Sequence, residues 1–425
     1  MVLKRYLKKL ETEAGLEAGL PAPRPGLRLC VVIPALAERD GIGRVIDSLG
    51  KSARLAEVIV VVNNPADAAD DIVRDNLLTI DDLRKMHGKD FPLLAVDRAS
   101  PGRAFSSREA GVGMARRVGM DLALRRLVAA GTAGQGAIAC LDADSPVAPG
   151  YIDALLEVFD SPRAPLAGLC SYRHPLPEDE PSARAIVAYE LWLRYVELGM
   201  LLAGSACAFQ AVGSCIVASC RGYALADGMP RRKAGEDFHF LQKVAKVGGP
   251  GSVVRIPGAT VFPAARQSSR VPFGTGRAMR RMLEEGPREY LWVEPCEAFC
   301  DLRGFYSSAG RGFDDIDSWL TDIGPELADF IRERRGPETL RRLRANFSDA
   351  DHFAHAVQTW FDGLQAIRYA RRRKAEAGPS WIFSAISRAL GELSMQELTA
   401  DLKHPDPADD DLDLQLKWLE RLRLG

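Results

Sequence analysis

The chain has 425 residues, with 56 Lys and Arg against 57 Asp and Glu, so its formal net charge is −1. A content of 47% apolar and 27% charged residues is that of a chain with a packed core, and the length suits two or three domains of about 100–200 residues each. Balanced charge gives no long-range pull toward nucleic acid or an anionic membrane, so no nucleic-acid partner is expected and any such role would have to come from a local patch.

Residues 1–26 read as a charged helical leader, with Lys4, Arg5, Lys8, Lys9, Glu11 and Glu13, closed by the linker signal Pro21-Ala22-Pro23-Arg24-Pro25-Gly26. Met1–Leu20 has no apolar signal core, which predicts a cytoplasmic protein. Leu27–Pro34 is a β-branched run stopped by proline, a buried strand. Gly41–Leu49 has helical spacing at Ile42, Val45, Ile46 and Leu49, and Glu57–Val62 is a second strand ending at Asn63-Asn64-Pro65. Strand, helix and strand in this order make a βαβ unit, hence a parallel sheet covered on both faces. Pro92–Asp97 is a third strand, Gly113–Ala130 a helix, and Ala137–Leu141 a fourth strand that runs into Asp142-Ala143-Asp144.

Leu198–Cys220 carries no charge over 23 residues, long enough for a membrane span. Its glycines, serines and Gln210 instead suit a helix ending near Gly204 and a buried strand over 211–218, so no transmembrane span is expected. The eight cysteines form no CxxC pair and several lie in apolar runs, as buried thiols do; a disulfide framework or structural zinc is not supported. Beyond Pro272 amphipathic segments at 277–286, 322–346, 350–373 and 381–402 predict a helical region, and the Asp-rich 405–413 stretch reads as a solvated tail.

Asp142 and Asp144 stand at the carboxyl end of a strand, the edge where open α/β sheets bind ligands. Two carboxylates one residue apart can share a hard divalent cation whose other positions go to phosphate oxygens; the alternative is that they cap the helix beginning near Pro149. Gly235-Glu236-Asp237 opens a helical pattern, where the helix dipole favours a charged base; the alternative is again an N-cap. Arg266–Arg277 mixes cations, hydroxyls and glycines, as a phosphate-covering loop or a plain interdomain loop would. Arg231, Arg232 and Lys233 suit a phosphate or carboxylate group, the alternative being that they face water. His352 and His355 lack an evident third metal ligand and fit a plain helix face.

In order, these elements resemble family 2 glycosyltransferases of the GT-A fold over about residues 28–285. Val31–Glu38 resembles their opening strand, Glu57–Asn64 the second strand, Gly113–Gly119 the Gly-x-Ala-Arg-Asn-x-Gly helix, Leu141–Asp144 the Asp-x-Asp motif, and Val212–Asp237 the segment ending in Glu-Asp. Asn63 and Asn64 replace the usual aspartates, and Leu36-Ala37 the usual Tyr-Asn; 277–282 only partly resembles the Gln-x-x-Arg-Trp element of processive synthases.

The resemblance implies a mostly parallel α/β sheet of GT-A type flanked by helices with a C-terminal α-helical region, divided as 1–26 leader, 27–275 glycosyltransferase domain and 276–425 helical region. It implies transfer of a sugar from a UDP- or GDP-type nucleotide-diphosphate sugar to an acceptor hydroxyl, with inversion. Asp237 would be the base and Glu236 the alternate. Pro34, Ala35, Glu38, Asn63, Arg116, Asp142, Ala143 and Asp144 would bind the donor. Asp142 and Asp144, with His239 as the third ligand of a retaining variant, would hold Mg²⁺ or Mn²⁺. The helical region would shape the acceptor site or a homodimer contact, and a peripheral membrane contact stays open. The rival readings are a retaining enzyme, a sugar-phosphate nucleotidyltransferase and a non-catalytic nucleotide-sugar-binding module. The nucleotidyltransferase would need a glycine-rich basic loop where Ala35-Leu36-Ala37-Glu38 stands.

Overall fold

The computed structural model describes residues 2–10, 20–50, 55–86, 92–161, 164–268, 274–408 and 411–424. Parts of three expected features, at 11–19 of the leader, 269–273 of the basic loop and 409–410 of the acidic tail, lie outside the described residues. The chain forms two compact units, Met1–Pro175 with Ala211–Gly274, and Leu176–Gln210 with Thr275–Gly425. This differs from the expected division in two places. The leader helix belongs to the first unit, and the 176–210 stretch belongs to the helical one.

The first unit runs α1 (Val2–Leu10), β1 (Leu29–Ala35), α2 (Arg39–Ser48), β2 (Ala56–Asn63), α3 (Asp70–Met86), β3 (Leu93–Arg98), α4 (Val112–Ala129), β4 (Ala137–Cys140), α5 (Tyr151–Phe159) and β5 (Ala167–Tyr172). After α6 (Glu180–Leu202), which belongs to the other unit, it resumes with β6 (Ile216–Ser219), α7 (Cys220–Leu225), α8 (Glu236–Gly248) and β7 (Val253–Val261). The strands form one sheet in the order β3-β2-β1-β4-β6-β5-β7. β6 is antiparallel to both its neighbours and every other pairing is parallel. This is the mostly parallel, helix-flanked sheet expected from the sequence. β1, β2 and β4 are buried along their whole length, as apolar strands covered on both faces must be.

Glycine sets how closely α4 approaches the sheet: a Cβ on Gly119 would lie 2.3 Å from Val32 Cγ1. The expected 211–218 strand is shorter, because Gly213–Cys215 forms a 3₁₀ turn and pairing begins only at Ile216. β7 is an edge strand, and its Pro257-Gly258 pair coincides with a slip in register against β5 between Cys170 and Ser171, a position where proline is tolerated.

The proline-rich linker is tied down by a buried charge. Arg126 holds Glu57 of β2 through two nitrogens, 2.5 and 3.0 Å, and donates a further hydrogen bond to Pro21 O at 2.9 Å. Both side chains are almost fully buried, so each depends on the other for compensation. Arg126→Ala is therefore expected to lower stability by about 3–5 kcal/mol, read from urea unfolding curves.

The second unit is helical: α6 with α9 (Thr275–Glu285), α10 (Cys296–Ser307), α11 (Ile316–Asp322), α12 (Pro325–Glu333), α13 (Gly336–Arg344), α14 (Ala350–Trp360), α15 (Gly363–Ala377), α16 (Ile382–Glu392) and α17 (Leu412–Leu424). The short strands β8 (Trp292–Val293) and β9 (Ser380–Trp381) pair antiparallel. The amphipathic 322–346 segment is broken by Arg335 in left-handed backbone, followed by Gly336-Pro337, and the 350–373 segment by Asp362, which caps α15. The expected acidic tail ends in α17, whose Trp418 is buried and whose Arg423 pairs with buried Glu190 of α6 at 2.7 Å. Among the described residues no helix is long and apolar enough to cross a membrane.

Candidate active site

Three chain segments of the first unit meet at the carboxyl edge of β1, β2 and β4. The β1–α2 turn comes first. Ala35 and Ala37 are pinned by asparagines: Asn63 donates to Ala35 O at 3.0 Å and to Val61 O at 3.2 Å, and Ala37 N donates to Asn76 Oδ1 at 2.9 Å. Asn76 in turn donates to Asn63 O and to Asn64 Oδ1. This network explains why Ala37, with no glycine freedom, sits at φ +50°. Asn63, expected to bind the donor, thus directs its amide nitrogen to backbone carbonyls. Pro34 and Ala35 are buried in β1, and Glu38 opens α2.

The second segment is Asp142-Ala143-Asp144. Neither aspartate caps α5, whose N-cap is Gly150 in left-handed backbone without a side-chain bond. Ala143 is buried, and its carbonyl lies 3.3 Å from where a Cβ on Gly41 would stand, so the turn after β4 abuts the start of α2. The third segment is the start of α8. Its N-cap is Gly235, not an acid, which leaves Glu236 and Asp237 in the first turn available for other partners.

Two arginines join these segments. Arg116 of α4 is buried and ion-paired to both acidic pairs, to Asp142 at 2.5 Å and to Glu236 at closer range. A Cβ on Gly213 would fall 2.3 Å from its Nη2, so glycine there makes room for the guanidinium. Arg266 pairs with Asp144 at 2.7 Å and with Glu38. Residue spacing alone does not single out Arg266; its place at the site arises because β7 ends beside β5 and Phe262 N donates to Pro146 O, bringing the following residues toward the β4 turn.

The electrostatics divide the four acids. Burial, then the charges of Asp142 and Glu38, push Asp144 above the usual carboxylate range, while Arg266 opposes the shift. Burial and the neighbouring Glu236 raise Asp237 to about 7, against Arg116 and the Phe238 N–H, which donates to Asp237 Oδ1 at 2.7 Å. Asp237 keeps some access to solvent. The arrangement thus separates Glu236, committed to Arg116, from Asp237, which titrates near neutrality.

The raised Asp237 has a consequence for stability. Its folded pKa exceeds the unfolded carboxylate value, so the folded state binds the extra proton between about pH 4 and 7, and stability falls as pH rises through that window. Asp237→Asn is expected to melt higher than the parent at pH 8, by about 2–4 °C for each kcal/mol relieved, with the difference gone at pH 4; scanning calorimetry at the two pH values checks this.

Two partly exposed carboxylates one residue apart at a strand end suit a divalent cation completed by phosphate oxygens. Among the described residues no three His, Cys, Asp or Glu side chains gather as a ligand set. The His239 ring stands edge-on to Phe238, and the group that reaches from Asp142 to α8 is the Arg116 guanidinium.

No protein-family model matches the chain, and no curated protein does. Solved structures similar to it include S. aureus TarS 1–349, at 12% identity over 83% of this chain and 91% of that one, with TM-score 0.36. Another is glucosyl-3-phosphoglycerate synthase from Mycobacterium tuberculosis with Mn²⁺, UDP and glucosyl-3-phosphoglycerate, at 21% identity over 57% and 72%, with TM-score 0.31. A third is the mannosyltransferase PcManGT from Pyrobaculum calidifontis with GDP-Man and Mn²⁺, at 15% identity over 100% and 93%, with TM-score 0.36. Likeness this distant assigns neither substrate nor mechanism to the chain.

Proposed function

We propose that the first unit is a divalent-metal-dependent glycosyltransferase that moves a sugar from a nucleotide diphosphate to an acceptor hydroxyl with inversion. The observation that carries this reading is the single buried guanidinium of Arg116 paired with both Asp142 and Glu236. It ties the acids suited to a donor diphosphate to the acids suited to proton removal.

Asp142 and Asp144 would hold Mg²⁺ or Mn²⁺, which when bound offsets the charge that develops on the leaving diphosphate. Glu38 and Arg266 frame the same place, and the arginine is within reach of phosphate oxygens once it leaves Asp144. Asp237 takes the proton of the acceptor hydroxyl. The hydroxyl oxygen bonds to the anomeric carbon, the bond from that carbon to the phosphate oxygen breaks, and its electron pair leaves on the diphosphate. A base titrating near 7 is matched to this task at neutral pH. Glu236 keeps Arg116 in place and is not the base.

The test is a thermal-shift panel of UDP- and GDP-sugars with and without Mn²⁺, followed by product analysis for the responding donor. Metal-dependent stabilisation and a released nucleoside diphosphate support the reading. Stabilisation without turnover favours a binding module, and pyrophosphate exchange favours a nucleotidyltransferase.

A further inference from the structure

The amino-terminal helix is fastened to the chain that leads into Glu236 and Asp237. Tyr6 and Leu10 of α1 are buried, while Lys4, Arg5, Lys8 and Lys9 face solvent. The Tyr6 hydroxyl donates to Asp121 Oδ1 of α4 at 2.7 Å, and the Tyr223 hydroxyl of α7 donates to the same oxygen at 2.8 Å. Asp121 is itself buried, and Arg117, one turn earlier on α4, lies 3.4 Å from its other oxygen. Arg117 also donates to the Tyr6 oxygen at 3.2 Å.

The same arginine grips the turn after α7. It donates to Asp227 O at 3.2 Å and to Met229 O at 2.9 Å, and Lys9 pairs with the Asp227 carboxylate at 2.6 Å. That turn needs holding. Asp227 and Gly228 both have left-handed backbone, at φ +61° and +77°, and the first is not glycine. A Cβ on Gly228 would lie 2.0 Å from the Tyr6 oxygen, so the helix sits directly against the turn.

From there the chain has little freedom before it reaches the site. The carbonyls of Pro230 and Arg232 lie 2.8 and 2.3 Å from where a Cβ on Gly113 would stand, and Lys233 donates to Ser107 O at 3.1 Å. Gly235 then turns the chain into α8, where Glu236 meets Arg116, the neighbour of Arg117 on α4.

We propose that α1 is a positioning element of the active site: Tyr6 and Lys9 clamp the Asp227–Met229 turn, and through the 230–235 strap fix where Asp237 stands. This rests on Asp237 being the base, and it goes further by assigning a role to residues that touch neither donor nor acceptor. Misplacing a base by about 1 Å costs up to about 10²-fold in turnover, whereas Asp142 and Asp144 stand on the turn after β4 and not on the strap.

The test uses the full chain with Tyr6→Phe, which removes one hydroxyl, and Lys9→Ala, which removes a solvent-exposed partner and should fold even if the first variant does not. Amide hydrogen exchange is followed across 225–240 and, as control, across β1 and β2. Faster exchange confined to 225–240, with kcat lowered about tenfold or more and metal-dependent UDP or GDP affinity unchanged, is the expected result. Unchanged exchange at 225–240 in both variants overturns the clamp, as does an equal loss of donor affinity and kcat. If the parent transfers no sugar at all, the reading of Asp237 fails while the exchange result still decides whether α1 holds the strap.

Discussion

Asp237→Asn is expected to lower the turnover of sugar transfer by about 10²–10⁴-fold, the usual worth of a positioned general base. Donor affinity in the presence of Mn²⁺ should stay within about twofold, because the substitution is nearly isosteric and leaves Arg116 with both of its carboxylates. With Asp237 as the proposed base, the parent protein should show a kcat that rises with pH through about 7 and then levels, since burial raises the Asp237 carboxyl and only its ionised form would accept the proton. Steady-state kinetics from pH 5 to 9 check both statements. In the variant the rising limb should be absent from the residual rate. A Glu236 variant that kept the limb while losing activity would agree with Glu236 acting through Arg116 and not as the base.

Asp142→Asn should have the opposite signature. A carboxylate on a divalent ion supplies several kcal/mol of charge stabilisation, so metal-dependent nucleotide affinity is expected to fall by about 10²–10³-fold by isothermal titration calorimetry. Metal-independent affinity should change little, because contacts around Ala35 and Asn63 are held by the asparagine network and not by Asp142. Arg116 would retain Glu236, so the protein is expected to stay folded. Equal loss of binding from Asp142→Asn and Asp237→Asn would remove the division of labour between the two acidic pairs.

Much of the first unit is legible in the sequence because β1 and β2 are Val- and Ile-rich runs and β4 is a short apolar one. β1 runs through Pro34 to Ala35, β2 ends at Asn63, and β4 ends at Cys140, two residues before Asp142. The acidic pairs are legible for the same reason, being fixed relative to an element boundary. β5 and β7 are not. Ala167–Tyr172 has small residues where a strand signal needs bulk, and the Pro257-Gly258 pair inside β7 reads as a turn until its edge position is known. The bond that joins the site is equally hidden, since Arg116 is 26 residues from Asp142 and 120 from Glu236. Only the sheet order brings them together. The docking of α1 is also invisible locally, because its partners Asp121 and Asp227 lie more than a hundred residues away.

The most direct test is a crystal of the protein grown with Mn²⁺ and the nucleoside diphosphate that stabilises it, with the anomalous signal of manganese used to place the ion. The account predicts one peak bonded to the carboxylates of Asp142 or Asp144 and to the diphosphate, with Arg266 displaced from Asp144 and Asp237 facing the same opening. Manganese and nucleotide bound elsewhere on the molecule, with Asp142 and Asp144 still held by the two arginines, would contradict it.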